Sequence, residues 1–304
     1  MDVSEAVDQL FSGVVPERID ELRLVWGNEE DRVRLIDTPR FLLQQMWGTI
    51  QVSELALRQL WLAGYAAWRA VDAYNIPLAL FPLKDFDADA WRLSPSHAEK
   101  EAVFDRLFNK IIELGEHGGV EGFEWPAEAP IPEEGLKISD PEMKATFDLV
   151  CMAGAYVFAH EIAHGLYKRV GDSSDDKIEE ERACDGWALS LMLDQADAYA
   201  VANGWLSKDV RCKRILGIVI AQLTIVVLTP REVWDQSDDH PSVSERLRSV
   251  LSAASEPTPD WFWITVTSML LAFTRMTGVN IDRKPSSESL RDFAFEICGQ
   301  LKSE

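Results

Sequence analysis

The sequence predicts a mainly α-helical protein with little or no sheet. Three observations carry that prediction. Long runs of helix-forming residues continue without proline, as in Ser53–Tyr74, which is rich in Leu, Ala, Trp and Arg. Helix-start signatures recur, in which an N-cap residue is followed by proline or, three residues on, by glutamate. Alternation of apolar and polar residues is scarce, and Ile76–Pro82 is the best short strand candidate.

In chain order, Ser53–Tyr74 is the first long helix, and Pro77 and Pro82 then break the chain into an irregular stretch up to about Leu93. Ser96 with Glu99 forms a capping box that opens a helix through about Leu114. The Gly- and Pro-rich stretch 115–139 reads as a long loop. Asp140-Pro141 supplies an N-cap and a first-turn proline for a helix that runs through His160 and His164 to about Val170. An acidic loop over 171–176 leads into a helix over Lys177–Ala202, and further helices follow at 207–228, 242–254, 260–277 and 287–301. The organisation is an N-terminal helical region (1–115), a Gly/Pro-rich loop (116–139) and a second helical region (140–304), either as two domains or as one continuous domain.

Composition narrows the function classes. The 304 residues carry 30 Lys plus Arg against 51 Asp plus Glu, a formal charge of −21. A surface that acidic repels phosphate, which argues against nucleic acid and against an anionic membrane surface as partners. The longest uncharged stretches, 215–230 and 261–274, fall short of the roughly 20 apolar residues that span a bilayer and read as buried helices. Met1-Asp2-Val3-Ser4-Glu5 has neither a basic nor an apolar region of a signal peptide. Cys151, Cys184, Cys212 and Cys298 show no paired spacing and are expected to be reduced thiols in a cytoplasmic protein.

His160-Glu161-Ile162-Ala163-His164 is an HExxH sequence inside a predicted helix. Residues four apart on a helix lie about 40° from each other and one turn apart, so both imidazoles project from one face and can share one tetrahedral zinc ion. Glu161 is rotated by roughly 100° from His160, which carries its carboxylate beside the open coordination position as a general base. Ala153, Tyr156, Val157, Ala159 and Leu166 make the helix a buried one, where two histidines and a glutamate need compensation, and a shared metal is the simplest. The third ligand is expected from the next helix. Glu181 is followed one turn later by Asp185 on the same face as Cys184, Ala188 and Met192, an arrangement that suits a ligand and a carboxylate that orients a ligating histidine. Glu180, with its own apolar stripe, is the alternative ligand, and Glu179 reads as a solvated helix start.

The segment Glu181-Arg182-Ala183-Cys184-Asp185-Gly186-Trp187 resembles the E-x-x-x-D helix of gluzincin metallopeptidases. His240-Pro241-Ser242-Val243-Ser244-Glu245-Arg246 resembles the HPS-x-x-x-R element that follows it in two related groups. One comprises the membrane zinc peptidases of prenyl-protein (CAAX) processing and heat-shock quality control, and the other the soluble Lit-type phage-exclusion peptidases. The missing full-length membrane spans favour the soluble group. Cys184 stands where these groups usually have alanine, and reads as a small core residue.

The resemblance implies a helical metallopeptidase core, one Zn(2+) per chain held by His160, His164 and Glu181, Glu161 as base and Asp185 behind a ligand. It implies hydrolysis of a peptide bond in one particular intracellular protein, a translation factor among the options, in a phage-exclusion, abortive-infection or toxin-like role under a phage-derived or antitoxin-like regulator. The competing expectation is a metal-binding sensor or interaction protein without catalysis. By resemblance His240 lies at the site rim and donates to a developing oxyanion; as local structure, His240-Pro241 simply precedes a helix capped by Ser242 and Glu245. His97 and His117 read as surface residues. Trp26, Trp47, Trp61, Trp68, Trp187, Trp205, Trp261 and Trp263 read as core or groove aromatics, and Trp91, Trp125 and Trp234 as core residues or the lining of a peptide-binding surface.

Overall fold

The structure, a computed structural model, describes residues 3–26, 32–80, 93–133, 135–235, 238–254, 257–279, 281 and 289–303. It is mainly α, as expected, with one small sheet near the N-terminus. The chain opens with α1 (Val3–Val14) and α2 (Ile19–Trp26). Three short strands follow, β1 (Val33–Ile36), β2 (Leu43–Met46) and β3 (Thr49–Ser53), in the order β1-β3-β2. β1 runs parallel to β3 with Val33 opposite Ile50, and β2 antiparallel to it with Met46 opposite Thr49. This small sheet agrees with the expectation of little or no sheet, but its strands lie at 33–53 and not at the candidate Ile76–Pro82. Ile50 and Val52 are buried while Thr49 and Gln51 are only partly so, the alternation of a half-buried strand compressed into five residues.

The rest is helical: α3 (Glu54–Leu80), α4 (Pro95–His117), α5 (Pro141–Val170), α6 (Lys177–Leu193), α7 (Ala196–Ala202), α8 (Ser207–Leu228), α9 (Val243–Ser252), α10 (Asp260–Met276) and α11 (Leu290–Gly299). The expected helix over Lys177–Ala202 divides into α6 and α7 around Asp194 and Gln195. α4 starts two residues earlier than expected, with Ser94 as N-cap and Pro95 in the first turn in place of the Ser96–Glu99 box.

Of the strand candidate Ile76–Pro82, residues 76–80 are instead the last turn of α3, which continues through Pro77, and 81–82 lie outside the described residues. Proline removes the amide that would bond the Ala73 carbonyl, which explains why a break is expected there. The His97 ring supplies the missing donor: its Nδ1–H donates to the Ala73 carbonyl over 3.1 Å. His97 is accordingly buried against the Tyr74 ring, which corrects its reading as a surface residue, whereas His117 is exposed. Trp234 is also buried, with its indole N–H donating to Thr229, so it is core and does not line a surface. Trp47 departs the other way and is 93% exposed on the β2–β3 turn. Trp91 lies outside the described residues.

α5 is the central helix. It packs on α3, α6, α8, α1 and β2. Two glycines set its close contacts: a Cβ on Gly64 of α3 would lie 2.2 Å from Val150 Cγ2, and one on Gly217 of α8 would lie 2.4 Å from Met152 Cβ. By length and composition α5 would suffice to cross a bilayer, yet 61% of its most apolar window is buried inside the fold. All four cysteines are free.

The Pro77–His97 arrangement is tested by a double-mutant cycle. His97→Leu leaves a buried carbonyl unpaired and should cost about 1–3 kcal/mol in urea unfolding. Pro77→Ala in that background returns an amide to Ala73, so the double variant should be more stable than the sum of the two single changes; simple additivity would contradict the pairing.

Candidate metal centre

Local structure aims the site residues before any tertiary contact does. Asp140 caps α5 by accepting from the Met143 amide, and Gly171 closes the helix at φ 72°, where glycine is unstrained. The turn that follows is short, and Asp176 caps α6 by accepting from Ile178 and Glu179, so α6 returns alongside α5. This places Glu180, Glu181 and Asp185 against His160 and His164.

The hydrogen bonds fix both imidazoles. His160 Nδ1 lies 2.9 Å from Asp185 Oδ1, and His164 Nδ1 lies 2.9 Å from Glu180 Oε1. With each Nδ1–H donated to a carboxylate, each neutral ring presents its Nε2 lone pair. The two Nε2 atoms stand 3.2 Å apart, and Glu181 brings Oε2 to 3.2 Å from His160 Nε2 and Oε1 to 3.1 Å from His164 Nε2. One ligand atom from each of His160, His164 and Glu181 falls within 4.8 Å of the others, a group that can hold a metal ion. In a tetrahedral zinc site with bonds of about 2.0–2.1 Å, neighbouring ligands lie about 3.3 Å apart, so the spacing and the donor set fit that ion.

A second layer holds the first. Asp185 accepts from Tyr156 Oη at 3.0 Å and from Arg246 Nη2 at 2.6 Å, and Gln222 Nε2 donates to Tyr156 Oη over 3.1 Å. Tyr156 and Gln222 are buried, and together with Arg246 they fix the carboxylate that fixes His160. Of these only Arg246 lay in a motif singled out by the sequence. Gln222 stands out afterwards as the one amide in the uncharged stretch 215–230.

Electrostatics show which charge the pocket wants. Burial raises the Asp185 carboxyl, but Arg246 and His160 outweigh it and hold it down to about 2. Burial likewise opposes ionisation of Glu181, yet hydrogen bonds from His160, His164 and His240 hold it well below the usual carboxylate range. Burial disfavours charge on His160, and hydrogen bonds with Asp185 and Glu181 reverse the balance and raise it to about 10. Positive charge is therefore favoured between these side chains, and a metal cation competes there with protons.

Glu161 borders the same cavity as His160 and His164 and reaches toward β2. Burial pushes its carboxyl up, against the lowering effect of His160, His164 and the Gln45 amide. The Gln45 N–H of β2 donates to Glu161 Oε2 over 2.6 Å, a contact between strand and helix that no sequence motif signals. His240 is more than half exposed, with Nδ1 3.1 Å from Glu181 Oε2, while Ser242 caps α9 by accepting from the Glu245 amide. The cavity over the site, about 590 Å³, is lined by Phe41, Leu43, Val157 and Ile225 as well as the polar residues. Cys184 is fully buried, and burial together with the nearby carboxylates pushes its thiol up, so it stays protonated.

Residues 50–267, more than half of the chain, match the family model described as Peptidase U49, and the chain belongs to that family. No curated protein and no solved structure matches it.

The geometry separates the two glutamates. Glu181→Gln should abolish stoichiometric zinc binding, whereas Glu180→Gln should weaken it about 10–100-fold with stoichiometry intact. Titration of metal-free protein against a competing zinc indicator reads both; the reverse ranking would make Glu180 the ligand.

Proposed function

We propose that this U49 peptidase is a zinc-dependent endopeptidase of the HExxH, gluzincin type, with His160, His164 and Glu181 as the ligands. The observation that supports it best is the convergence of two Nε2 lone pairs, on rings whose Nδ1–H is already donated, with one carboxylate whose buried Oε2 lacks a hydrogen-bond partner, beside a buried glutamate. A zinc ion bound there would supply Lewis-acid chemistry, acidifying water and polarising a carbonyl.

The chain's own residues do the rest. Glu161 takes a proton from the attacking water and passes it to the leaving amine. The Gln45 amide holds Glu161 Oε2 and leaves Oε1 for that transfer. Raising of the Glu161 carboxyl by burial brings it nearer the working pH of a general base. Asp185 and Glu180 hold the two imidazoles in the ligating tautomer, and the Arg246–Tyr156–Gln222 network holds Asp185. His240, at the exposed rim, donates a hydrogen bond to the oxyanion as the carbonyl is attacked.

The biological setting follows from the resemblance to Lit-type enzymes: cleavage of a single intracellular protein, a translation factor among the options, in a phage-exclusion or toxin-like role. A regulator of phage or antitoxin origin would hold the activity until it is needed. The free cysteines suit a reducing cytoplasm.

Glu161→Gln separates catalysis from metal binding. It should retain one zinc per chain and lose hydrolysis by about 10²–10⁴-fold, the usual range for a general base. Wild-type expression should be toxic in a susceptible host and the variant tolerated. Undiminished cleavage by the variant would remove Glu161 from the mechanism.

A further inference from the structure

β2 and β3 are joined by just two residues, Trp47 and Gly48, at φ 55° and 83°. Two positive values mark a type I′ hairpin turn, whose first position favours Asn or Gly. A bulky aromatic there is a strained choice, and strain of this kind collects at functional sites. Nothing in the packing repays it, since the Trp47 side chain is 93% exposed and its neighbour Met46 is 38% exposed. The turn precedes the family-matched region, so the family match assigns it no role.

Beside the turn, the last residues of α5 present Lys168 and Arg169, both exposed. Lys168 Nζ donates to Gln45 Oε1 over 3.0 Å, and no described carboxylate lies within ion-pair distance of either cation. Trp47, Met46, Lys168 and Arg169 border a cavity of about 750 Å³ that shares Gln45, Glu161 and Lys168 with the cavity over the metal centre. The cations Lys177 and Arg246 that also border the cavity over the centre are paired, with Asp239 and Asp185. A chain of net charge −21 thus has an aromatic and two cations on one side of its general base.

We propose that this surface docks the substrate on one side of the scissile bond, and that the docked segment is an acidic peptide with an apolar residue against Trp47. The proposal rests on the peptidase reading and names the class of substrate. Charge complementarity carries it: Lys168 and Arg169 attract carboxylates locally. The charge of the whole chain would instead draw basic peptides, so the two effects predict opposite preferences.

The test measures binding apart from cleavage. Two pools of labelled short peptides, one rich in Asp and Glu and one in Lys and Arg around the same apolar centre, are titrated by fluorescence anisotropy with the full-length, zinc-loaded Glu161→Gln chain. The acidic pool should bind at least about tenfold more tightly, a difference typical of one or two well-placed charge contacts. Lys168→Glu with Arg169→Glu should reverse the preference, and Trp47→Ala should weaken acidic-pool binding severalfold; all three positions are exposed, and circular dichroism checks that the variants fold. A preference for the basic pool, no preference, or a preference untouched by these changes would overturn the proposal. Hydrolysis of both pools by the wild type is followed in parallel. Acidic preference without hydrolysis by the wild type would leave the surface and remove the peptidase reading; hydrolysis without acidic preference would do the reverse.

Discussion

His160 and His164 each donate Nδ1–H to a carboxylate, and that commitment determines what the rest of the centre must do. Two Nε2 lone pairs are left facing each other at 3.2 Å with the Glu181 carboxylate against both. Electron-rich atoms this close in a buried site are mutually unfavourable unless positive charge lies between them. Protons can meet that demand, which is why His160 and His164 are both raised, and a metal cation meets it with better geometry.

The fold serves this convergence by holding α5 still. Gly64 and Gly217 let α3 and α8 approach its backbone, and any side chain at either position would overlap Val150 or Met152. α6 is brought back by a turn closed with glycine and restarted by the Asp176 cap, so the ExxxD face meets the HExxH face at fixed height. α9 adds Arg246, whose guanidinium reaches Asp185, and Arg182 ties α6 to α9 through Glu245. The small sheet reaches the site through its edge strand β2, where the Gln45 amide holds Glu161 and Leu43 lines the cavity.

Much of this was legible in the sequence because it is written in local chemistry. Asp140-Pro141 marks the start of α5 and HExxH places two imidazoles on one face, both consequences of helical geometry that need no tertiary knowledge. The sheet was not legible, since its strands are four or five residues long and its turn carries Trp-Gly where Asn-Gly would have signalled a hairpin. His97 and Pro77 misled for one shared reason: a break was expected from a missing amide, and the residue that replaces its hydrogen bond lies on the next helix. Gln45, Tyr156 and Gln222 were invisible as site residues because their roles arise from partners 29 to 116 positions away in sequence.

The central claim is that two imidazoles and one carboxylate, and no thiolate, hold a zinc ion. X-ray absorption at the zinc edge of the purified protein tests it directly. Nitrogen and oxygen neighbours at about 2.0–2.1 Å, with the scattering pattern of two imidazole rings, are the predicted result. A sulfur shell at about 2.3 Å would contradict it, placing the metal on a cysteine and away from the His160–His164–Glu181 group.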